Sequence, residues 1–173
     1  MPPLYYLHGL ESSPQGFRAN YLRERFPQII APALTKDVLE RRATIEATIT
    51  EKSVLVGSSL GGLSALDFAV EHPSLVQSML VLAPAVGFYQ EEYRTPEILE
   101  FVARLHVPAG IPAIVLAGLR DEIIPIQAIR DMVARSPEQG LITLIELDDV
   151  HSLYQPESLD ALCRGVQQLL ESS

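Results

Sequence analysis

The residues with the clearest chemical signature lie between positions 53 and 62, where an apolar run ends in the turn sequence G-S-S-L-G-G. Gly57, Ser59 and Gly61 form the pattern G-x-S-x-G, and apolar residues follow directly. This spacing is typical of a serine on a sharp turn from a buried strand to a helix, where glycines allow close backbone approach. We therefore predict Ser59 as a nucleophile, with Ser58 the weaker candidate; the alternative is an ordinary glycine- and serine-rich loop.

A serine hydroxyl needs a general base within hydrogen-bond distance and an acid that orients that base. His151 follows the last predicted strand, and Asp121 follows the strand before it. The chain order Ser59, Asp121, His151 is the order that α/β-hydrolases use. We expect His151 to take the serine proton and Asp121 to fix the imidazole tautomer.

Both assignments have competitors. His151 is alternatively a histidine of a surface loop, and Asp121 is alternatively a cap for the next helix. The rival acids are Glu122, Asp148 and Asp149. The remaining histidines are interpreted as solvated or structural. Asp67 is interpreted as a polar group on the helix that follows Ser59, either at the edge of the core or exposed.

Acyl transfer also requires N–H donors for the negative charge that develops on the carbonyl oxygen. The Leu60 N–H is one candidate, because a helix leaves its first N–H groups without partners. His8, Gly9 and Leu10 follow the first predicted strand, and the Leu10 N–H is the second candidate donor. We expect Gly9 to let the chain turn close to the substrate, and the His8 side chain to fix the loop.

Strand and helix patterns alternate along the whole chain. The predicted strands cover residues 3–7, 28–31, 53–57, 77–85, 111–117 and 141–147. Short loops between them demand parallel pairing, which brings functional residues to the carboxyl ends of the strands. We predict one α/β domain over residues 1–173, with about six mainly parallel strands flanked by helices on both faces. Residues 86–108 interrupt the rhythm, either as a small lid over the site or as an ordinary crossover helix after a longer loop.

The composition limits the classes of molecule that we expect this chain to bind. The 173 residues carry a formal net charge of -9 and have a pI near 4.8, which disfavours nucleic acid and anionic lipid as partners. A single cysteine, Cys163, fits a reducing cytoplasm, and no targeting or membrane-spanning stretch is recognised. No metal-ligand spacing, phosphate loop or dinucleotide fingerprint occurs, so no metal or cofactor is predicted.

Three segments carry a family resemblance: Y-L-H-G-L-E-S-S-P-Q-G-F-R-A, V-G-S-S-L-G-G and G-L-R-D-E-I-I-P. They resemble the α/β-hydrolase superfamily and, within it, the small YqiA-type esterases. The resemblance implies an esterase or thioesterase that acts on small acyl groups without a cofactor. Two departures stand out: D-D-V-H-S replaces the usual glycine-rich approach to the histidine, and the superfamily's first two strands are absent.

The same residues are compatible with other functions. An acyltransferase or a peptidase would use the same serine chemistry on a different acceptor or leaving group. A non-catalytic protein of this fold would bind a ligand without turnover. The predicted partner is a small-molecule ester or thioester, and no oligomeric state is predicted.

Overall fold

The computed structural model describes residues 1–172. Its strands are β1 (Leu4–Leu7), β2 (Ser53–Ser58), β3 (Val76–Leu82), β4 (Ala113–Gly118) and β5 (Ile142–Leu147). Its helices are α1 (Phe17–Arg25), α2 (Val38–Thr48), α3 (Leu60–Glu71), α4 (Pro96–Ala103), α5 (Ile126–Arg135) and α6 (Pro156–Glu171). Within these residues the sheet has the order β1-β2-β3-β4-β5, and every neighbouring pair is parallel.

Helices cover both faces of the sheet. Side chains alternate along a strand, so each strand feeds two separate apolar layers. One layer, with Leu55 and Val81, packs against α2, α3, α4 and α5. The other, with Val56 and Leu80, packs against α1 and α6. Because both faces are covered, the strands of the sheet's centre are mostly apolar, with Gln77 and Ser78 near the start of β3 as polar exceptions.

The predicted fold class is confirmed, with one correction to the strand count. Residues 28–31 do not form a strand in the described part of the chain; Ile30 makes a single parallel bridge to Tyr5. Pro32 has no N–H for the next step of the ladder, and before Ile30 the chain forms a turn in which the Ile29 N–H donates to the Phe26 carbonyl at 2.9 Å, so the pairing does not extend. The sheet therefore has five strands where six were expected.

The segment at 86–108 contains α4 and lies beside the loop after β4. The Tyr89 N–H donates to the Ile123 carbonyl at 3.3 Å, and Val102 of α4 is buried in the first apolar layer. The single-domain assignment and the lid role of this segment stay predictions. None of the helices in residues 1–172 has the length and hydropathy needed to cross a membrane.

Candidate active site

Ser59 is the single residue that joins β2 to α3. Its φ of 53° and ψ of -115° place it in a region that residues with a side chain rarely adopt. The Ser59 N–H donates to the Leu82 carbonyl at 2.9 Å, and its own carbonyl accepts from Leu63 and Ala85. The strained backbone is thus held by hydrogen bonds to β3 and to the chain just beyond it.

Two glycines of the turn lie too close to other backbone atoms for any side chain. A Cβ at Gly61 would come within 2.5 Å of the Leu7 carbonyl carbon and 2.8 Å of the His8 oxygen. A Cβ at Gly57 would lie 2.8 Å from the Gly61 carbonyl carbon. The pattern G-x-S-x-G therefore reflects the packing of β1, β2 and α3 around the turn.

Three of the predicted side chains form one hydrogen-bond chain. The Ser59 Oγ lies 2.9 Å from His151 Nε2, and His151 Nδ1 lies 2.8 Å from Asp121 Oδ2. A carboxylate only accepts, so its contact places the imidazole proton on Nδ1 and leaves Nε2 as an acceptor for the serine hydroxyl. The Asp121 side chain is fully buried, while that of His151 is 15% exposed. This arrangement can carry a proton from Ser59 to His151.

Asp121 is fixed by its own loop. Its second oxygen, Oδ1, accepts from the Ile123 and Ile124 N–H groups, both at 2.8 Å. The carboxylate therefore cannot rotate without losing two backbone partners. The loop begins at the carboxyl end of β4, and His151 follows β5, so the parallel register of β4 and β5 brings the two side chains together.

The rival acids lie elsewhere. Glu122 approaches only the backbone N–H of His151, at 3.5 Å, and Asp148 pairs with Arg120 on the surface. Asp149 is buried and accepts from three groups of its own loop: the Val150 N–H, the Gln155 N–H and the Ser158 hydroxyl. Asp149 thus ties the loop that carries the histidine to the first turn of α6.

The electrostatics of Asp149 follow from these contacts. Burial alone would raise the pKa of the Asp149 carboxyl. The hydrogen bonds from Ser158, Gln155 and Val150, together with the charge of Arg120, lower the pKa below its usual value instead. From the sequence, Asp149 was interpreted only as a rival acid. Its spacing to the start of α6, however, suits a carboxylate that caps a loop.

The loop after β1 comes close to the serine. A Cβ at Gly9 would lie 3.5 Å from the Ser59 Cβ, so the Gly9 backbone borders Ser59. Within residues 1–172, neither the Leu10 N–H nor the Leu60 N–H has a hydrogen-bond acceptor. The Leu60 N–H is the first of α3, where the helix dipole favours negative charge. Both N–H groups are therefore open to an acceptor from outside the chain.

The His8 side chain holds this loop. His8 is buried, its Nδ1 lies 2.9 Å from the Gly9 carbonyl, and its Nε2 accepts from the Leu34 N–H at 3.1 Å. These partners require a neutral ring with the proton on Nδ1. Burial lowers the pKa of His8, the Gly9 carbonyl opposes this, and the nearby Arg41 lowers it further. The structure thus places His8 in a loop-fixing position.

The other predicted polar residues lie away from Ser59 Oγ. His72 contacts Glu46 at 3.0 Å on the surface, and His106 contacts the Arg104 carbonyl. Asp67 on α3 forms a bidentate pair with Arg42, both contacts at 2.8 Å. None of these side chains belongs to the hydrogen-bond chain of Ser59.

Ser58 and Cys163 also lie outside the hydrogen-bond chain of Ser59, His151 and Asp121. Ser58 ends β2, and its hydroxyl is one of the groups that influence the pKa of the buried Tyr6. Burial is the main cause that raises the pKa of Tyr6 to about 12. Cys163 lies half-buried in α6 as a free thiol. In the described residues no group of three or more His, Cys, Asp or Glu side chains has a metal-binding arrangement.

Sequence reasoning missed two buried arginines. Arg18 of α1 donates to the carbonyl of Ser152, the residue after His151, and its guanidinium lies 4.8 Å from the centre of the Tyr154 ring. Arg41 of α2 donates to the carbonyl of His8. One sequence signal could have indicated that Arg41 is buried. It lies four residues before the apolar Ile45, and residues four apart share one face of a helix.

Solved structures similar to this chain share the α/β-hydrolase fold. The mouse alpha/beta hydrolase domain-containing protein 10 has a TM-score of 0.79 and 18% identity, with 98% of this chain and 89% of that chain covered. The monoacylglycerol lipase of Paleococcus ferrophilus has a TM-score of 0.78 and 16% identity, with 100% and 96% covered. The architecture is therefore that of an α/β-hydrolase.

The family assignment follows from sequence. The model of the uncharacterised protein family UPF0227 matches residues 3–98, and this chain belongs to that family. A homoserine O-acetyltransferase of Mycobacterium sp. (strain KMS) is 44% identical over 61 residues. That stretch is 34% of this chain and only 15% of the acetyltransferase, so the likeness to this relative is local.

Proposed function

We propose that this protein is a serine hydrolase that cleaves carboxylic esters or thioesters of small acyl groups through an acyl-enzyme. The observation that carries the proposal is the continuous hydrogen-bond chain from Ser59 Oγ through His151 to Asp121. This chain of hydrogen bonds begins just before α3, beside the Leu60 and Leu10 N–H groups, which have no acceptor within residues 1–172. The mouse hydrolase-domain protein and the Paleococcus ferrophilus lipase, whose structures have the same fold, support hydrolysis as the reaction class.

In the first half of the reaction, Ser59 Oγ attacks the acyl carbon while His151 Nε2 takes the hydroxyl proton. Asp121 stabilises the resulting imidazolium through its contact with Nδ1. The Leu60 and Leu10 N–H groups donate to the oxygen that becomes negative in the tetrahedral intermediate. The intermediate then collapses, the bond to the alcohol or thiol breaks, and His151 returns the proton to that leaving group.

In the second half, water attacks the acyl group on Ser59. His151 takes a proton from that water, and the second tetrahedral intermediate uses the same N–H donors. Its collapse releases the carboxylic acid and returns the proton to Ser59 Oγ. Atoms balance with water as the only co-substrate, so the cycle uses no cofactor.

Acyl transfer is a second candidate. The local likeness to a homoserine O-acetyltransferase favours it, because that protein's name describes transfer of an acetyl group to a hydroxyl. The first half of the reaction would be identical, and an acceptor hydroxyl would replace water in the second half. Product analysis with and without an alcohol acceptor distinguishes the two.

Labelling with a fluorophosphonate probe, read by intact mass, tests the nucleophile. We expect one adduct on the wild type and on Ser58→Ala, and none on Ser59→Ala or His151→Ala. Ser58→Ala is the matched control, because it removes the adjacent hydroxyl and leaves the hydrogen-bond chain intact. An unlabelled wild type, or a labelled Ser59→Ala, would overturn the proposal in favour of a ligand-binding protein.

Asp121→Asn tests the acid without changing its shape. The amide oxygen can keep the contacts to Ile123 and Ile124, and the amide nitrogen then faces His151 Nδ1 as a donor. The imidazole proton is driven to Nε2, where it prevents acceptance of the serine proton. We expect kcat on a generic ester to fall by about 10⁴-fold with little loss of stability. Comparing oxygen ester, thioester and amide substrates then defines the leaving group.

A further inference from the structure

Arg41 is a buried cation without a carboxylate partner in the described residues. Only 1% of the residue is exposed, and burial is the one cause that lowers the pKa of its guanidinium, to about 10. At that pKa the group is still charged at neutral pH. A buried charge is costly unless its donors are satisfied, so the partners of Arg41 must be fixed in place.

Those partners belong to three different segments. Arg41 Nε donates to Ser64 Oγ at 3.2 Å, Nη1 donates to the Thr35 carbonyl at 3.0 Å, and Nη2 donates to the His8 carbonyl. Ser64 in turn donates to the carbonyl of Leu60, the first residue of α3. One guanidinium therefore ties the loop after β1 to the helix that begins after the nucleophile.

The contact with the His8 carbonyl orients the first of the two peptide units that lead to the Leu10 N–H. All peptide bonds in the described residues are trans, so each C=O points away from the N–H of the same peptide unit. Arg41 fixes the plane between His8 and Gly9 through the His8 oxygen. The His8 ring fixes the following plane through the Gly9 oxygen, which directs the Leu10 N–H the opposite way.

We propose that Arg41 is a positioning residue that holds the loop of His8, Gly9 and Leu10 in the orientation required for oxyanion stabilisation. The inference rests on the proposed function, because it assigns a purpose to the Leu10 N–H in acyl transfer. Arg41 acts through the backbone and does not touch the substrate. Its rigid, planar set of donors suits three acceptors held at fixed angles, which a lysine could not satisfy together.

A purely structural role is the competing explanation, since Arg41 also links α2 to α3. The chain offers a matched control in Arg42, the next residue of α2. Arg42 links the same two helices through Asp67 and carries the same charge, but it makes no contact with the loop after β1. Arg41→Met and Arg42→Met therefore separate helix packing from loop orientation.

The kinetic test measures kcat and KM on a generic ester for the wild type, Arg41→Met, Arg41→Lys and Arg42→Met. Oxyanion donors act only in the transition state, so their misplacement lowers kcat and leaves KM nearly unchanged. We expect a kcat loss on the order of 10²-fold in Arg41→Met, a loss of the same order in Arg41→Lys, and wild-type kinetics in Arg42→Met. Wild-type kcat in Arg41→Met, or an equal loss in Arg42→Met, would overturn the proposal.

A second measurement does not depend on turnover. The backbone amide signals of Gly9 and Leu10, observed by nuclear magnetic resonance, should shift or broaden in Arg41→Met and stay unchanged in Arg42→Met. Unchanged signals in both variants would overturn the proposed positioning even if the protein hydrolyses no ester. Failure of the hydrolase proposal is seen separately, as a wild type that accepts no fluorophosphonate.

Ser64→Ala provides a milder perturbation if Arg41→Met does not fold. It removes one of the three acceptors of Arg41 and leaves both carbonyl contacts. We expect a several-fold decrease in kcat with unchanged KM, because the guanidinium is then held less firmly. An increase in KM at unchanged kcat would contradict the proposed role.

Discussion

The two sides of the candidate site are fixed by different forces. On the serine side, close contact adds to the backbone hydrogen bonds of Ser59, because Gly61 leaves no space for a side chain beside the Leu7 and His8 carbonyls. On the histidine side, the loops are held by buried carboxylates. Asp121 collects two backbone N–H groups in addition to the imidazole, and Asp149 collects three donors.

The difference corresponds to what each side must do. Ser59 has a positive φ, and a strained backbone persists only where the surroundings allow no alternative. Close packing leaves the turn no alternative conformation, because solvent cannot relieve a steric overlap between backbone atoms. In the proposed reaction His151 gains and loses a proton, so its loop needs polar partners that hold position while the local charge changes. The serine side should therefore fail abruptly on substitution, and the histidine side gradually.

The abrupt failure is tested at Gly61. A Cβ there would overlap backbone atoms of β1, which cannot move without disrupting the sheet, so we expect Gly61→Ala to lose at least about 3 kcal/mol of unfolding free energy. Urea denaturation followed by circular dichroism measures this loss. Gly140→Ala is the control, because no atom lies within 4 Å of its added Cβ, and it should unfold at or above the wild-type midpoint. A wild-type midpoint for Gly61→Ala would contradict control of the turn by contact.

The gradual failure is tested at Asp149. In Asp149→Asn one of the two acceptor oxygens becomes an NH₂ group, so the acceptor is lost either for the Val150 N–H or for the Gln155 N–H and the Ser158 hydroxyl. We expect a loss of about 2 kcal/mol in unfolding free energy, the usual range for buried hydrogen bonds to a charged group. Asp148→Asn, which changes only an exposed ion pair with Arg120, should remain close to the wild type. Equal stability of the two variants would show that Asp149 does not hold the loop.

The same distinction explains what could be predicted from the sequence. The meeting of Ser59, Asp121 and His151 follows from parallel strands, because their carboxyl ends share one edge of the sheet. The requirement for glycine at 57 and 61 follows from the sharp turn. Both results depend on local sequence patterns and on the order of the strands, and the spacing of residues along the sequence indicates both.

The missed features depend on distant backbone acceptors. Arg18 and Arg41 bind the carbonyls of Ser152 and His8, and a carbonyl gives no signal in the sequence because every residue has one. The strand predicted at 28–31 failed for a related reason. Its apolar residues suit a strand, but the ladder cannot continue at Pro32, which lacks the N–H that the next step needs.

The smallest expected effect concerns His8, which lies on the serine side but is held by hydrogen bonds. Its pKa is lowered from 6.5, chiefly by burial, so the folded protein keeps the ring neutral at a pH where the unfolded chain already binds a proton. The stabilisation is therefore complete above pH 6.5 and is lost as the pH falls toward the folded pKa. We expect the stability advantage of the wild type over His8→Asn to be smaller at about pH 5.5 than at about pH 7.5, measured by urea denaturation. An equal advantage at both pH values would show that His8 binds protons alike in the folded and unfolded states.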